Sequence, residues 1–186
     1  PAGEQPTAPA GFKVTRYAAD LDHPRWLYVL PNGDVLAAES ATEPAKPEGF
    51  RDWVAQIIQK QAGALQKSPN RIVLLRDADG DGVAEFRSVF ATDLKRPFGM
   101  ALVGDALYVA NDDAIVRLPY AAGDTKARGA AVKVFDLPGG PINHHWTKNI
   151  IASPDGTKLY ATVGSNSNVG ENGLTAEEGR AQVVEF

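Results

Sequence analysis

Short apolar runs separated by polar turn residues recur along the chain and predict antiparallel β-strands. Three segments, residues 24–40, 97–111 and 147–165, share the same order of an apolar run, a turn containing Gly, and a second apolar run. The turn sequences are NGD, GD and PDG, and Gly, Asn and Asp favour hairpin turns because they tolerate positive φ angles. Each segment is therefore predicted to form a β-hairpin.

Further apolar runs follow these hairpins and complete a repeating four-stranded unit. A third run follows each hairpin, at 70–77, 113–120 and 180–186, and a fourth follows in the first two units, at 83–90 and 130–138. Repeats of about 40–50 residues with four short strands are typical of β-propeller blades, whereas a β-sandwich, the alternative, does not require a recurring unit. The sequence therefore predicts an all-β chain of about two and a half to three propeller blades.

The first unit also contains an insert, predicted to be helical over 48–67, between its second and third strands. Its apolar residues recur with the i, i+3, i+4, i+7 and i+8 spacing of an amphipathic helix, at Phe50, Trp53, Val54, Ile57 and Ile58. Such a stripe usually packs on the rest of the protein, and contact with a partner or substrate is the alternative. We expect a short helix on the outside of the propeller or over one face.

The two ends of the chain suggest a domain plan. Residues 1–10 are rich in Pro and Ala, which predicts a flexible leader before a propeller region at 11–186. Closed propellers have about 4–8 blades, so we expect the N-terminal half of a larger propeller, completed by a C-terminal half in the same or a separate chain. The start at Pro1, without an initiator Met, is typical of a mature exported protein and also of an expressed fragment. We expect a periplasmic or secreted location.

Composition narrows the classes of function. The 186 residues carry a net charge of −4, without a basic stripe or a run of about 18 apolar residues, so neither nucleic-acid binding nor a membrane span is predicted. The absence of Cys excludes disulfides, Cys-ligated zinc and a thiol nucleophile. Candidate chemistry therefore rests on His, Arg, Lys and carboxylate side chains.

The residues at the heads of the first strands are candidate ligand-binding groups. In a propeller, the first strand of each blade lines the central channel, so these heads meet at one end of it, which we call the channel mouth. Aligning the repeats places Arg25, Phe98 and Lys148 at equivalent positions, with Arg96 and His145 just upstream. Arg binds carboxylates bidentately and stacks on flat rings, and Lys adds a point charge. This group predicts a site for an anionic, planar ligand.

The adjacent histidines, His144 and His145, are expected at the head of a strand, where neighbouring side chains point to opposite faces. Only one of them would then face the channel, which argues against a two-His metal site. His145 could be a general base, because the imidazole pKa lies near working pH, or a structural residue bonded to loop backbone, or a metal ligand. The pattern alone leaves these three roles open.

An acidic loop follows the third strand of the first unit. Asp77, Asp79, Asp81 and Glu85 have the spacing of the first half of an oxygen-rich Ca²⁺ loop. The loop departs from the EF-hand because its twelfth position is Ser88 and no helices flank it. Its place between the third and fourth strands predicts that it lies opposite the channel mouth. A structural Ca²⁺ site and a plain Asp-Gly hairpin are the two interpretations.

Five motifs in this order carry a family resemblance: RDADGDGVAE, RPFGMAL, NHHWTKN, SPDGTKLY and VGSNSNVGENG. Together they resemble the sorbosone dehydrogenase-like family that depends on pyrroloquinoline quinone (PQQ). That family is similar to the soluble PQQ glucose and aldose sugar dehydrogenases, which are six-bladed β-propellers. The resemblance runs from about Gly11 to Phe186 and covers about the first half of the family's domain.

The resemblance implies roles for individual residues. His145 lies ten residues before Asp155, like the catalytic His of the sugar dehydrogenases, and Lys148 matches a basic residue that helps hold the reacting site. Arg25 follows a Pro, like an Arg that binds PQQ carboxylates in related fungal enzymes. The glucose enzymes have a Gln near Arg96, so this chain departs from them there.

The implied catalytic pair is thus His145 and Lys148. The implied cofactor-binding set is Arg25, Arg96, His145, Lys148 and Asn149.

The implied activity is that of a quinoprotein oxidoreductase, with PQQ and calcium as cofactors. A sugar, or a sugar-derived aldehyde or hemiacetal, would transfer a hydride to PQQ while His145 takes the hydroxyl proton, and an electron acceptor would reoxidise the cofactor. We expect the chain to be inactive unless the rest of the propeller completes it. The alternatives are a Ca²⁺-dependent propeller lactonase and a non-enzymatic propeller binding module.

Overall fold

The computed structural model describes residues 6–42, 49–61, 67–140 and 142–186, and within them the strands form three antiparallel sheets. Blade 1 consists of β1 (Pro24–Val29), β2 (Val35–Glu39), β3 (Arg71–Arg76) and β4 (Phe86–Ala91). Blade 2 consists of β5 (Met100–Val103), β6 (Ala106–Ala110), β7 (Ala114–Pro119) and β8 (Val132–Asp136). Blade 3 consists of β9 (Ile150–Ala152), β10 (Leu159–Val163) and β11 (Gln182–Glu185).

Each blade is a meander whose strands pair in chain order. The predicted turns connect the first two strands of each blade through Gly33, Gly104 and Gly156, whose φ angles are 88°, 57° and 69°. Positive φ angles of this kind favour Gly because it lacks a Cβ. The recurring four-stranded unit predicted from the sequence is therefore present twice in full and once as three strands within the described residues.

The core lies between the blades, where sheets pack face to face. One apolar layer joins blades 1 and 2 and includes Leu36, Ile72, Leu74, Phe90, Met100 and Leu107. A second layer joins blades 2 and 3 and includes Ala101, Ile115, Ile150, Leu159 and Ala161. Side chains alternate between the two faces of a strand, so blade 2, which lies between the others, contributes to both layers.

Gly99 brings blades 2 and 3 into close contact just before β5. Its backbone N–H donates a 3.0 Å hydrogen bond to the carbonyl oxygen of Lys148. A Cβ at this position would lie 2.4 Å from Oδ1 of Asn149 and 2.6 Å from the backbone N of Ile150. Only Gly fits this approach, which fixes the segment before β9 against the head of β5.

The strand register separates the two ends of blade 1. Pro24 pairs with Glu39 and Glu39 pairs with Arg71, so the heads of β1 and β3 lie at the same end as the tail of β2. Arg76 pairs with Phe86 at the other end, where the acidic loop connects β3 to β4. The acidic loop therefore lies opposite the head of β1, as the sequence predicts.

A helix, α1 (Phe50–Gln61), occupies the predicted insert. The side chains of its apolar stripe, Phe50, Trp53, Val54, Ile57 and Ile58, are exposed. The expectation that this stripe packs on the protein is therefore wrong within the described residues, because none of them covers it. The flanking parts of the insert at 43–48 and 62–66, and residues 1–5 of the predicted leader, lie outside the described residues. Among the described helices, none is long and apolar enough to cross a membrane.

Candidate active site

Trp146 is the point where side chains from three blades meet. The guanidinium carbon of Arg25, from blade 1, lies 5.9 Å from the centroid of the Trp146 ring. The guanidinium carbon of Arg96, from the loop before blade 2, lies 5.4 Å from it. The indole Nε1–H donates a 3.3 Å hydrogen bond to Oγ1 of Thr42, which follows β2. Trp146 is 5% exposed, so the indole ring is buried where these segments meet.

Arg25 offers an exposed positive charge at this place. Its Nε donates a 3.0 Å hydrogen bond to the carbonyl oxygen of Ser40, which orients the guanidinium group. The Ser40 hydroxyl in turn donates a 2.8 Å bond to the carbonyl oxygen of Pro97 and ties blade 1 to blade 2. Within the described residues, no carboxylate pairs with Arg25. Its terminal nitrogens are therefore suited to bind an external anion.

Arg96 is held more tightly than Arg25. Its φ angle is 46°, and its backbone N–H donates a 2.8 Å hydrogen bond to Oδ1 of Asn70. Its guanidinium group forms an ion pair with Asp112, whose side chain is 1% exposed. Burial raises the pKa of Asp112, and the charges of Arg96 and Lys95 oppose that rise. Because Asp112 already neutralises much of the Arg96 charge, Arg25 is the stronger candidate for anion binding.

Lys148 is a buried cation without a partner. Its side chain is fully buried, and its Nζ makes no hydrogen bond within the described residues. Burial, helped by the positive charge of Arg180 and opposed by Asp112, lowers the pKa of Lys148 to about 8. A buried ammonium without an acceptor is costly. An anionic ligand that supplied an acceptor would relieve that cost.

His145 lies in a turn before β9 and not at the head of a strand, so the expected strand alternation between His144 and His145 is wrong. Strand β9 begins only at Ile150, because the segment before it packs against Gly99. The His145 side chain is exposed and its Nδ1 lies 3.1 Å from the carbonyl oxygen of Ser165 and 3.0 Å from its hydroxyl oxygen.

These two contacts assign the tautomer of His145. The Ser165 carbonyl can only accept a hydrogen bond, so Nδ1 carries the proton. The Ser165 hydroxyl donates to the carbonyl oxygen of Ser167 at 2.9 Å, which leaves its lone pairs for Nδ1–H. In the neutral ring, the remaining nitrogen, Nε2, is then the acceptor. An exposed imidazole with a free Nε2 is suited to take a proton from a ligand hydroxyl.

The two histidines contact different residues of the polar loop 164–172. His144 Nδ1 lies 3.9 Å from a carboxylate oxygen of Glu171, and both side chains are exposed. Backbone N–H groups, that of Val169 first, hold the pKa of Glu171 at about 2, so its carboxylate stays charged beside His144. The turn, rather than strand alternation, directs His144 towards Glu171 and His145 towards Ser165.

A polar loop from Ser165 to a 3-10 helix at Leu174–Glu177 supports His145. Glu177 accepts hydrogen bonds from the backbone N–H groups of Asn166 and Ser167, at 2.6 Å and 3.1 Å. These bonds lower the pKa of Glu177. Gly164, just before the loop, leaves room for His145, since a Cβ there would lie 2.7 Å from the His145 Cβ. The loop thus fixes the residue that orients the imidazole.

Asn149 has a local structural contact. Its Oδ1 accepts a 2.9 Å hydrogen bond from the backbone N–H of Ile150, next to Gly99. The oxygen of this side chain is therefore engaged at the blade contact, and only the amide nitrogen is left for a ligand.

The acidic loop forms a compact group of oxygen atoms at the other end of blade 1. One carboxylate oxygen from each of four residues, Asp77, Asp79, Asp81 and Glu85, lies within 4.8 Å of the others. This donor set suits Ca²⁺, which takes six to eight oxygen ligands. The same carboxylates also accept backbone hydrogen bonds, including those from Gly80 and Gly82 to Asp77, as an Asp-Gly hairpin would. The arrangement fits either of the two interpretations made from the sequence.

The sequence places Asp112, at the end of a second strand, and Ser165, in the polar loop 164–172, at the channel mouth, but it did not identify Trp146 and Arg180 as residues that organise this site. Arg180 donates hydrogen bonds to Oδ1 of Asn143 and to the carbonyl oxygen of Gly139, and its charge acts on Lys148. Trp146 lay within a quoted motif beside His145, and that was the only signal for it. The contacts of Arg180 depend on how loops from different parts of the chain fold together.

Comparisons with known proteins place the chain among propellers. A family model described as "Domain of unknown function (DUF7133)" matches residues 6–185, and no curated protein matches the chain. The chain is similar to the holo form of the pyranose dehydrogenase PQQ domain from Coprinopsis cinerea, with a TM-score of 0.65, 18% identity and 97% coverage of this chain. It is equally similar in fold to the calcium structure of a Trichoderma reesei protein of Carbohydrate-Active Enzymes Family AA12, with a TM-score of 0.65, 14% identity and 97% coverage. The PQQ-bound aldose sugar dehydrogenase from Streptomyces coelicolor gives a TM-score of 0.52, 23% identity and 85% coverage.

These similarities are at the level of the fold, and they confirm the predicted all-β partial propeller and its resemblance to PQQ sugar dehydrogenases. The chain spans 37%, 39% and 43% of those three structures. It therefore corresponds to less than half of the propellers it resembles.

Proposed function

We propose, for a chain that belongs to the DUF7133 family, that the complete protein is a PQQ-dependent oxidoreductase acting on a sugar or on a sugar-derived aldehyde or hemiacetal. One observation carries this proposal: Arg25 and Arg96 lie on the Trp146 ring, beside a histidine with a free Nε2, and the charge of Arg96 in turn acts on the buried Lys148. A propeller fold shared with PQQ sugar dehydrogenases supports it.

The residues present fit an anionic quinone. PQQ carries carboxylates, for which Arg25 has unpaired terminal nitrogens and Lys148 has an ammonium without an acceptor in the described residues. Arg96 would contribute a fixed, partly neutralised charge through its ion pair with Asp112. When bound, PQQ would supply the hydride acceptor, and the protein would orient it and exclude water.

His145 would act as the general base. Its Nε2 would accept the proton of the substrate hydroxyl while Nδ1–H stays bonded to Ser165. The resulting imidazolium would be stabilised by the two Ser165 oxygens and by the loop that Glu177 holds. Lys148 would add a fixed positive charge from its buried position near Arg96 and Asp112, and fixed charges commonly contribute most to catalysis.

Part of the site would lie outside this chain. The solved propellers are more than twice as long, so the remaining ligands of PQQ and of a catalytic Ca²⁺ would come from a C-terminal half. We infer that the 186-residue chain alone is inactive and that the complete protein needs an electron acceptor. The periplasmic or secreted location stays a prediction, which fractionation of the source cells would test.

The acidic loop is proposed to bind a structural Ca²⁺. Support comes from its four carboxylate oxygens within 4.8 Å of one another. It lies opposite the channel mouth, so such an ion would stabilise the β3–β4 connection and take no part in the reaction.

The proposal is tested with the full-length protein, PQQ and Ca²⁺, assayed by dye reduction with a panel of aldoses and aldehydes. Reduction that depends on PQQ is the expected result. Lactone hydrolysis without PQQ would contradict the dehydrogenase function and support the lactonase. Neither activity, together with no PQQ binding by equilibrium dialysis, would favour a propeller binding module.

A further inference from the structure

We propose that Trp146 is a positioning residue that holds Arg25 and Arg96 in place for ligand binding, an inference that rests on the proposed function. No family motif assigns it this role. It follows from contacts that link one indole ring to three separate segments of the chain.

The ring attracts both guanidinium groups. A guanidinium group within about 6 Å of an aromatic centroid is attracted by the ring quadrupole, most strongly by that of Trp. The two distances here are 5.9 Å for Arg25 and 5.4 Å for Arg96. Like charges on two arginines repel each other, so a shared π surface is a means of keeping both near one site.

Each arginine otherwise has few anchors. Arg25 is fixed by one hydrogen bond, from Nε to the carbonyl oxygen of Ser40, and Arg96 is fixed at its terminal nitrogen by Asp112. The Arg96 Nε is buried and makes no hydrogen bond within the described residues. The indole therefore supplies the contact that restricts the remaining rotation of each guanidinium group.

Trp146 is itself rigid enough for this task. It is 5% exposed, its Nε1–H is bonded to Thr42, and the preceding residue, His145, is bonded to Ser165. It precedes blade 3, whereas Arg25 lies in blade 1, Thr42 follows β2 of blade 1, and Arg96 precedes blade 2. Through the ring, the positions of the two guanidinium groups therefore depend on how the blades are arranged relative to one another.

A buried tryptophan that only filled space would behave differently. Its replacement would lower stability, but folded molecules would bind PQQ with the wild-type Kd. Its effect would also combine independently with that of Arg25→Ala. A positioning role predicts a weaker affinity of the folded protein and an effect that overlaps with that of Arg25.

The experiment uses the full-length protein, with PQQ titrated by equilibrium dialysis at a temperature where all variants are folded by circular dichroism. Trp146→Leu is expected to raise Kd for PQQ about 10-fold, and Trp146→Phe, which keeps a ring, less than about threefold. The double variant Trp146→Leu with Arg25→Ala should bind more tightly than the product of the single effects predicts. Trp53→Leu, on the exposed face of α1, is the matched control and should leave Kd unchanged.

A second measurement separates failure of the inference from failure of the proposed function. The arginine Nε–Hε resonances of Arg25 and Arg96 should be shifted upfield by the indole ring current and should return towards ordinary values in Trp146→Leu. Wild-type affinity in Trp146→Leu, with unmoved arginine resonances, overturns the inference. A wild-type protein that binds no PQQ overturns the proposed function and the ligand named here, while the resonances still report whether Trp146 holds the arginines.

Discussion

Lys148 gives the sharpest test of the site because its charge and its burial conflict. The perturbation is Lys148→Met, which keeps the length and apolar character of the side chain and removes the ammonium. The fully buried Nζ has no acceptor in the described residues, and burial lowers its pKa from 10.5 to about 8. The protonated form is therefore less favourable in the folded protein than in the unfolded chain.

The magnitude follows from that shift. Each pKa unit corresponds to 1.36 kcal/mol, so the difference between 10.5 and about 8 amounts to about 3 kcal/mol. Below pH 8 both states hold the proton and the folded state carries the full cost. Between pH 8 and 10.5 the unfolded chain binds more protons than the folded protein, so stability rises with pH through this window.

The assay is urea unfolding of the wild type and Lys148→Met at pH 7, 8, 9 and 10. The free energy of unfolding of the wild type should rise, relative to the variant, by about 2.5 kcal/mol from pH 7 to 10, since the unfolded lysine is still mostly protonated at pH 10. Lys158→Met is the matched control. Lys158 is exposed, and its hydrogen bond to Glu185 raises its pKa, so its contribution is present below the unfolded pKa and is lost only at higher pH.

A difference between wild type and Lys148→Met that stays flat from pH 7 to 10 would refute the reasoning. Lys148 would then have an acceptor or solvent contact that keeps its pKa near 10.5. The control excludes a general effect of alkaline pH, since the difference in the free energy of unfolding between wild type and Lys158→Met should stay constant up to about pH 9.5.

Three further predictions concern the base, the blade contact and the acidic loop. His145→Ala should lower turnover by about 10²–10⁴-fold while PQQ stays bound, and normal turnover would remove it from the role of base. Gly99→Ala should destabilise the protein by about 1–3 kcal/mol in urea unfolding, since its Cβ would overlap Asn149, whereas Gly49→Ala, which meets open space, should be near neutral; equal effects would contradict the close contact. Removal of Ca²⁺ with EGTA should lower the Tm of the wild type by about 5–10 °C and leave Asp81→Asn unaffected, and an unchanged wild-type Tm would favour the plain hairpin.

The fold was accessible from the sequence because local signals agree. Apolar runs mark strands, and the Gly, Asn and Asp residues between them mark turns that require positive φ, as at Gly33 and Gly156. These signals involve only a few neighbouring residues, so they can be recognised without knowledge of the tertiary structure. The sequence predicts an earlier start for the strand that begins at Ile150. Nothing in the local sequence indicates that the preceding residues pack against Gly99, which is distant along the chain.

The candidate site was predictable only in part. Aligned repeats pointed to Arg25 and Lys148, since equivalent positions in successive blades face the same axis. They gave no sign that Arg96 is paired with Asp112 or that Lys148 is buried, because ion pairing and burial depend on loops distant in sequence. The tautomer of His145 depends on Ser165, twenty residues later, and could not be inferred before the loop was placed.

The lack of a side chain at Gly99 determines which properties substitutions elsewhere in the protein can change. Blades 2 and 3 touch there through their main chains, N–H of one to C=O of the other, close to Lys148. The spacing between the charged groups of the two blades is thus set by peptide geometry and not by the sizes of core residues. Substitutions in the apolar layer farther out, such as those at Ile115 or Leu159, can change how strongly the blades adhere while the distances among the ligand-facing cations stay constant. Substitutions can therefore change the stability of the protein without changing the geometry of the site.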